Sequence, residues 1–405
     1  DFGKLTFNTT GGAVSITEDS STLLTGSSSG DSLVLVSGGA LTDDTTTVVN
    51  IDNGNASYTG TSISLADDAG DNYDVSGTAS FNGGAGAVTV AAAGAVDFGK
   101  LTFNTTGGAV SITEDSAMQL TGSSTADSLV LNSSGFAMND DGTGEVTVAT
   151  TTSLNAGSAD ITLDTDTNDF IGTITVVAVG NLLLEDANSM VMGSITATGN
   201  VDLNIDLGGA DTAETLTLTA AITAADVDVD GRGTNDTLIA ADVANDFIIN
   251  AAEGGTLVSG SSTLITFTDI SNLTGGTLAD SFTFENGGSV AGTVDGAGGI
   301  DTLEGDDDGN EFGINDPNSG TLTDTTNGDS IGLTWNNIEN LTGGDAADTF
   351  TFNADDSTPQ DGALSGDIDG GDPTTDPGDV VDIQFVDQSL PEPCMTDSHR
   401  LLPCR

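Results

Sequence analysis

The chain has 405 residues, 63 of them acidic and 5 basic, for a net charge of -58. Binding to phosphates needs clustered Lys and Arg, so nucleic acid and anionic membrane surfaces are excluded as partners. With 36% apolar and 4% aromatic residues, the composition suits a thin elongated core better than one large compact one.

Self-repulsion on this scale destabilises a folded state unless cations screen or bind it. Divalent cations or high salt therefore belong to the expected environment; a merely halophilic or very soluble surface is the plainer alternative. No apolar run reaches the roughly 20 residues of a membrane-spanning helix, so no membrane insertion is expected. The chain starts without Met and inside a repeat, which reads as a piece of a longer protein. Its two cysteines, Cys394 and Cys404, lie in the last twelve residues. The cysteine-free body is compatible with an extracellular location.

Taken in order, the chain opens on DFGKLTFNTTGGAVSITEDS (Asp1–Ser20), which returns unchanged at Asp97–Ser116, 96 residues later. LTGSSSGDSLVL (Leu24–Leu35) likewise becomes LTGSSTADSLVL (Leu120–Leu131). Short apolar-polar alternations separated by Gly, Asn, Ser and Asp fill residues 1–149: AVSITED, SLVLV, TTVVNID, AVTVAAA, EVTVAT. Such spacing predicts an all-β fold, and no stretch carries a helical period. The long identical repeat favours a coil of parallel strands, a β-solenoid, over a sandwich. At roughly 24 residues per rung, 96 residues would hold about four rungs.

Residues 150–229 keep the alternation and lose the exact repetition. In DVDVD (Asp226–Asp230) the valines share one face and the three carboxylates the other. A second repeat family fills 230–387. DGRGTNDTLIA (Asp230–Ala240) returns as DGAGGIDTLEG (Asp295–Gly305), and NDFIIN (Asn245–Asn250) as NEFGIN (Asn310–Asn315), both 65 residues on. ISNLTGGTLADSFTF (Ile270–Phe284) returns as IENLTGGDAADTFTF (Ile338–Phe352) after 68, which places Phe267 and Trp335 on equivalent positions. A third copy begins at Asp369. The tail 388–405 has a foreign, Pro-rich composition and is set apart as non-native or disordered. His399 with Cys394 and Cys404 makes only a weak metal set there.

The sharpest motif is Gly-Gly-x-x-x-Asp-[Ser/Thr]-Phe, at Gly275–Phe282 and Gly343–Phe350, with the related Gly296–Leu303. It resembles the hemolysin-type calcium-binding (RTX) repeat. That resemblance implies calcium held by Asp301 and, by position, Asp236, Asp280 and Asp348. The motifs recur only every 65–68 residues, not every nine, and an Asp that merely caps a Gly-Gly turn is the other reading. Asp226, Asp228 and Asp230 match the start of an EF-hand loop, but Thr237 stands where a bidentate Glu belongs; a strand is preferred, with cation binding as a second option. EGDDDGNE (Glu304–Glu311) and NDDGTGE (Asn139–Glu145) read as solvated turns.

Together, residues 1–387 resemble the repeat regions of giant secreted bacterial surface proteins, of the filamentous-haemagglutinin-like and RTX-adhesin kind. The DFGKLTFN…SITEDS and ENLTGG…ADTFTF patterns carry the resemblance. It implies a right-handed parallel β-helix that folds outside the cell, binds calcium, and serves as an adhesive stalk at the cell surface, with glycans or neighbouring repeat proteins as contacts. No catalytic residues are assigned. The body holds no His for a triad, and acidic pairs are too common here to single out a glycosidase pair. A polysaccharide-acting β-helix enzyme with Arg232 near its carboxylates is the alternative; an ice- or glycan-binding face built on outward threonines (Thr215–Thr219) is a further one.

Overall fold

The computed structural model describes residues 2–205, 212–260, 263–324, 332–353, 362–371 and 378–383. Among them there is no helix, and the chain winds into a β-solenoid of about 15 turns. The all-β solenoid expected from the sequence is the fold. The tail 388–405, with Cys394, His399 and Cys404, lies outside the described residues.

Each turn lays its strands in parallel register on those of the turn before. In one sheet Val88, Val110, Leu129, Thr152 and Ile174 are successive partners, 19 to 23 residues apart. Successive side chains of a strand leave opposite faces. In Val88–Val90, Val110–Thr113 and Leu129–Asn132 the Val, Ile and Leu positions at either side of the middle residue are therefore buried. The middle residues Thr89, Ser111 and Val130 face outward.

The coil is narrow, so large side chains meet their neighbours above and below. Leu35, Tyr58, Phe81 and Phe103 are consecutive partners up the other sheet. The Tyr58 and Phe81 rings stack at 5.1 Å with 9° between planes, and Phe98 leans on Phe81 at 5.5 Å. Phe81→Ala removes a ring that touches both, and its expected cost is about 3–5 kcal/mol. A urea midpoint lowered at unchanged slope would show it. Val34→Ala, at a side chain 46% exposed, should cost under about 0.5 kcal/mol in the same assay.

The 96-residue repeat does not span a whole number of turns. Four turns carry Val14 through Leu33, Ala56 and Ala79 to Leu101. Val110, the duplicate of Val14, comes nine residues later and lies in the opposite sheet. About four and a half turns thus replace the four of the sequence estimate. The local pairing travels with the sequence: Val14 pairs with Leu33 as Val110 pairs with Leu129, and Leu5 pairs with Leu24 as Leu101 pairs with Leu120. Both sheets offer a strand the same inward-outward alternation, so identical residues fit either one.

The second family behaves the same way and adds a feature the sequence did not announce. Gly254–Ser259 runs antiparallel between Asn245–Ala251 and Ile265–Thr268. Its repeat, Ser319–Asp324, runs antiparallel between Asn310–Asp316 and Gly332–Asn336, in the other sheet. Each copy therefore inserts one reversed strand into an otherwise parallel wall. The reversals turn at Glu253 and Asn318, whose φ values of 52° and 54° are left-handed, as a tight hairpin requires. The equivalence of Phe267 and Trp335 holds: each lies opposite a glycine of the reversed strand, Gly255 and Gly320, and each is fully buried.

Candidate functional site

The Gly-x-x-x-x-Asp motif forms the corners of the coil. At each corner a side-chain oxygen accepts the backbone N–H of the equivalent corner one turn earlier. Asn245 N donates to Asp280 Oδ1 (2.8 Å), Asp280 N to Asp301 Oδ1 (2.8 Å), and Asp301 N to Glu339 Oε2 (2.9 Å). A second run joins Asn310 N to Asp348 Oδ1 (2.8 Å) and Asp348 N to Asp379 Oδ1 (3.1 Å). Glu214 N donates to Asp236 Oδ1 at 2.8 Å. Corner amides turn away from the sheet ladders, and a buried amide without an acceptor is costly. The carboxylates supply that acceptor.

Asp236, Asp280, Asp301 and Asp348 are thus all buried at corners, at most 3% exposed. Asp280 also accepts from Gly276 N (2.6 Å) and Asn245 Nδ2 (2.8 Å), and Asp348 from Gly344 N (3.1 Å) and Asn310 Nδ2 (3.1 Å). Burial pushes the Asp301 carboxyl up to about 6 against the opposing Asp280 hydrogen bond, with the charges of Asp280 and Glu339 adding to the rise. Burial likewise raises Asp280 and Asp348. The capped-turn reading of the motif is the one these hydrogen bonds express. None of the four stands in a group of three acids with ligand oxygens close enough to share an ion, among the described residues. Asp280→Ala leaves the N–H groups of Asn245 and Gly276 without acceptors and should cost about 2–4 kcal/mol. Asp280→Asn, which keeps one acceptor, should cost less; urea unfolding of the two variants ranks them.

Residues 107–177 match a family described as repeats of unknown function (DUF5649). The stretch runs through the strands beginning at Val110, Leu129, Thr152 and Thr173, each stacked on the one before. No curated protein and no solved structure matches the chain. The chain is a repeat β-solenoid.

Asp226, Asp228 and Asp230 belong to a strand, not to a loop between helices. Asp202 and Asn204 are the cross-strand partners of Asp228 and Asp230 on one side, and Thr266 and Thr268 on the other. With Glu185 and Arg232 they line a groove of about 380 Å³. Arg232 Nη2 lies 3.0 Å from Glu185 Oε1, and its Nε lies 3.4 Å from Asp230 Oδ2. Burial raises the Asp228 carboxyl, and the charges of Asp226 and Asp202 add to the rise. Among the described residues, no aromatic ring lines the groove. The threonines Thr215–Thr219 do not make a continuous face either: Thr217 is flanked by Val191 and Ile239.

Two acid clusters went unread in the sequence. Asp43, Asp67 and Asp71 gather from neighbouring turns with one oxygen of each within 4.8 Å of the others. Asp43 Oδ2 accepts from Ala66 N and Tyr73 Oη, both at 2.8 Å. Burial drives its carboxyl up to about 6, against these bonds, with the charges of Asp71 and Asp67 adding. Asp306, Asp308 and Asp324 form the second cluster at the same spacing. Asp306 is 1% exposed, so the turn read as solvated is in part buried. The sequence signal was available in the repeat itself: 65 residues earlier stand Ala241, Val243 and Ser259. All three acids are present in the second copy and absent from the first.

Proposed function

We propose that the chain is a rigid structural segment of a secreted, cell-surface repeat protein, stiffened by calcium, whose side walls make adhesive contacts with glycans or neighbouring repeat proteins. The observation that carries this reading is the stacking of turn on turn in register over one continuous buried core. Such a coil transmits position along its axis and presents two long outer walls. Its acidic surface would repel itself in cation-poor water and is relieved where calcium is plentiful.

Small-angle X-ray scattering tests the rod. About 15 turns at a strand spacing of ~4.8 Å give a long axis of roughly 70 Å for the coil. A globular profile would sink the proposal. For adhesion, cells displaying the chain should settle on glycan-coated or chain-coated surfaces in calcium and detach in chelator; adhesion equal to that of undisplayed cells would remove the adhesive part.

The groove around Arg232 favours a second reading, a polysaccharide-acting enzyme, because it places several carboxylates beside a base. Against it stand the missing aromatic platform, common in ligand pockets, and the engagement of Arg232 by Glu185 and Asp230. Release of new reducing ends from polysaccharides, abolished by Asp228→Asn, would support the enzyme. Absence of release across neutral and acidic polysaccharides would remove it.

A further inference from the structure

We propose that Asp306, Asp308 and Asp324 hold one calcium ion at the corner preceding the strand Asn310–Asp316. The site is a specific instance of the calcium dependence proposed above, at residues other than the corner-capping aspartates, and its test separates the two.

The fold brings the three together. Asp306 and Asp308 stand in the corner between the strands Thr302–Glu304 and Asn310–Asp316. Asp324 ends the reversed strand, which returns it to the place opposite Asn310. One oxygen from each lies within 4.8 Å of the others. Calcium bonds oxygen at 2.3–2.6 Å, so two ligands on opposite sides of one ion are about 4.8 Å apart.

Asp306 adds an independent observation. Its side chain is 99% buried, its Oδ1 accepts from Asp308 N at 3.1 Å, and its Oδ2 is buried without a hydrogen-bond donor. A buried carboxylate oxygen lacking a partner is unfavourable, and three carboxylates this close repel one another. One bound cation answers both.

The first copy of the repeat is an internal control. Asn245 Nδ2 donates to the carbonyls of Ala241 (3.0 Å) and Val243 (2.8 Å). Asn310 Nδ2 donates in the same way to those of Asp306 and Asp308, both at 2.9 Å. Asn245 faces Ser259 as Asn310 faces Asp324. The same corner and hairpin therefore form with Ala, Val and Ser in place of the three acids. The three carboxylates are therefore not what builds the corner. Oxygen donors alone select a hard cation over zinc or copper. Three carboxylates favour calcium over magnesium, which retains its waters and takes one or two.

The test uses the full chain, stripped with chelator and titrated calorimetrically with calcium. The triple variant Asp306→Ala, Asp308→Val, Asp324→Ser installs the residues of the first copy. It should keep the far-UV dichroism of the parent and take up one calcium fewer per chain. Its calcium-free form should melt no lower than the calcium-free parent. Should the triple variant fail to fold, Asp306→Asn replaces it and should weaken one site tenfold or more. Equal stoichiometry and affinity in parent and variant would overturn this site while leaving the calcium-stiffened rod standing. A parent that binds no calcium would overturn both.

Discussion

Gly172→Ala should break the coil. A Cβ at this position would lie 1.2 Å from the carbonyl oxygen of Thr150, on the turn below. The obstacle is backbone, fixed by Thr150 N donating to Asp127 O and by Ile171 N donating to Val148 O, so no rotamer change relieves it. Relief would need neighbouring turns to part, which forfeits ladder hydrogen bonds and core contact together. The expected loss is about 3–5 kcal/mol, or failure to fold. Gly142→Ala is the control. Its φ of 75° is left-handed, but a Cβ there meets nothing within 4 Å, so only the conformational cost of about 1 kcal/mol applies. Equal urea midpoints for the two variants would refute the close approach of turns at Gly172.

The second large effect is a gain of stability on acidification. Glu114 is fully buried and its carboxyl is pushed up to about 8 by burial, against hydrogen bonds from Phe98 N and Ser116. Burial holds Asp186 at about 7 and Asp301 at about 6. These folded values exceed the ordinary 4.5 and 3.8, so between about pH 4 and pH 8 the native state binds more protons than the unfolded chain. Stability then falls as pH rises through that window and is fullest below it. Asp141, held well below the usual range first by the Lys100 ammonium, acts in the opposite sense, at more acidic pH. Each proton held only by the native state makes stability fall by about 1.4 kcal/mol per pH unit. Taken over the three groups, the loss from pH 5 to pH 8 in calcium-free buffer is on the order of 5 kcal/mol. Relief of general repulsion has the same sign, so Glu114→Gln distinguishes them: it should flatten the upper part of the profile. A profile unchanged by that substitution would place the effect elsewhere.

The strands were legible because period-2 alternation needs no tertiary information. Val88-Thr89-Val90 reads as one wet and one dry face in the sequence and is one in the structure. The sheet a strand joins was not legible. Val14 and Val110 have identical surroundings in sequence and lie in opposite sheets, because phase depends on the summed lengths of the intervening turns. The reversed strand at Ser319–Asp324 was hidden for another reason. Parallel and antiparallel pairing share one alternation, and only Asp316-Pro317-Asn318-Ser319 hinted at a turn.

At the corners, the hydrogen bonds give the aspartates of Gly-x-x-x-x-Asp a capping role. The motif locates Asp280 without revealing that Asn245 and Gly276 already address its oxygens. The Asp306 cluster was missed because Asp324 is distant in sequence and arrives through the reversed strand. Comparing the two copies position by position, Ala241 with Asp306, Val243 with Asp308 and Ser259 with Asp324, exposes it.

That an acidic β-solenoid of this charge depends on calcium is tested most directly by thermal unfolding. Far-UV dichroism would be followed on the chelator-treated chain, with calcium or with sodium at equal ionic strength. Calcium should raise the melting temperature well above the sodium value and sharpen the transition. Coincident melting curves in the two salts would contradict that dependence.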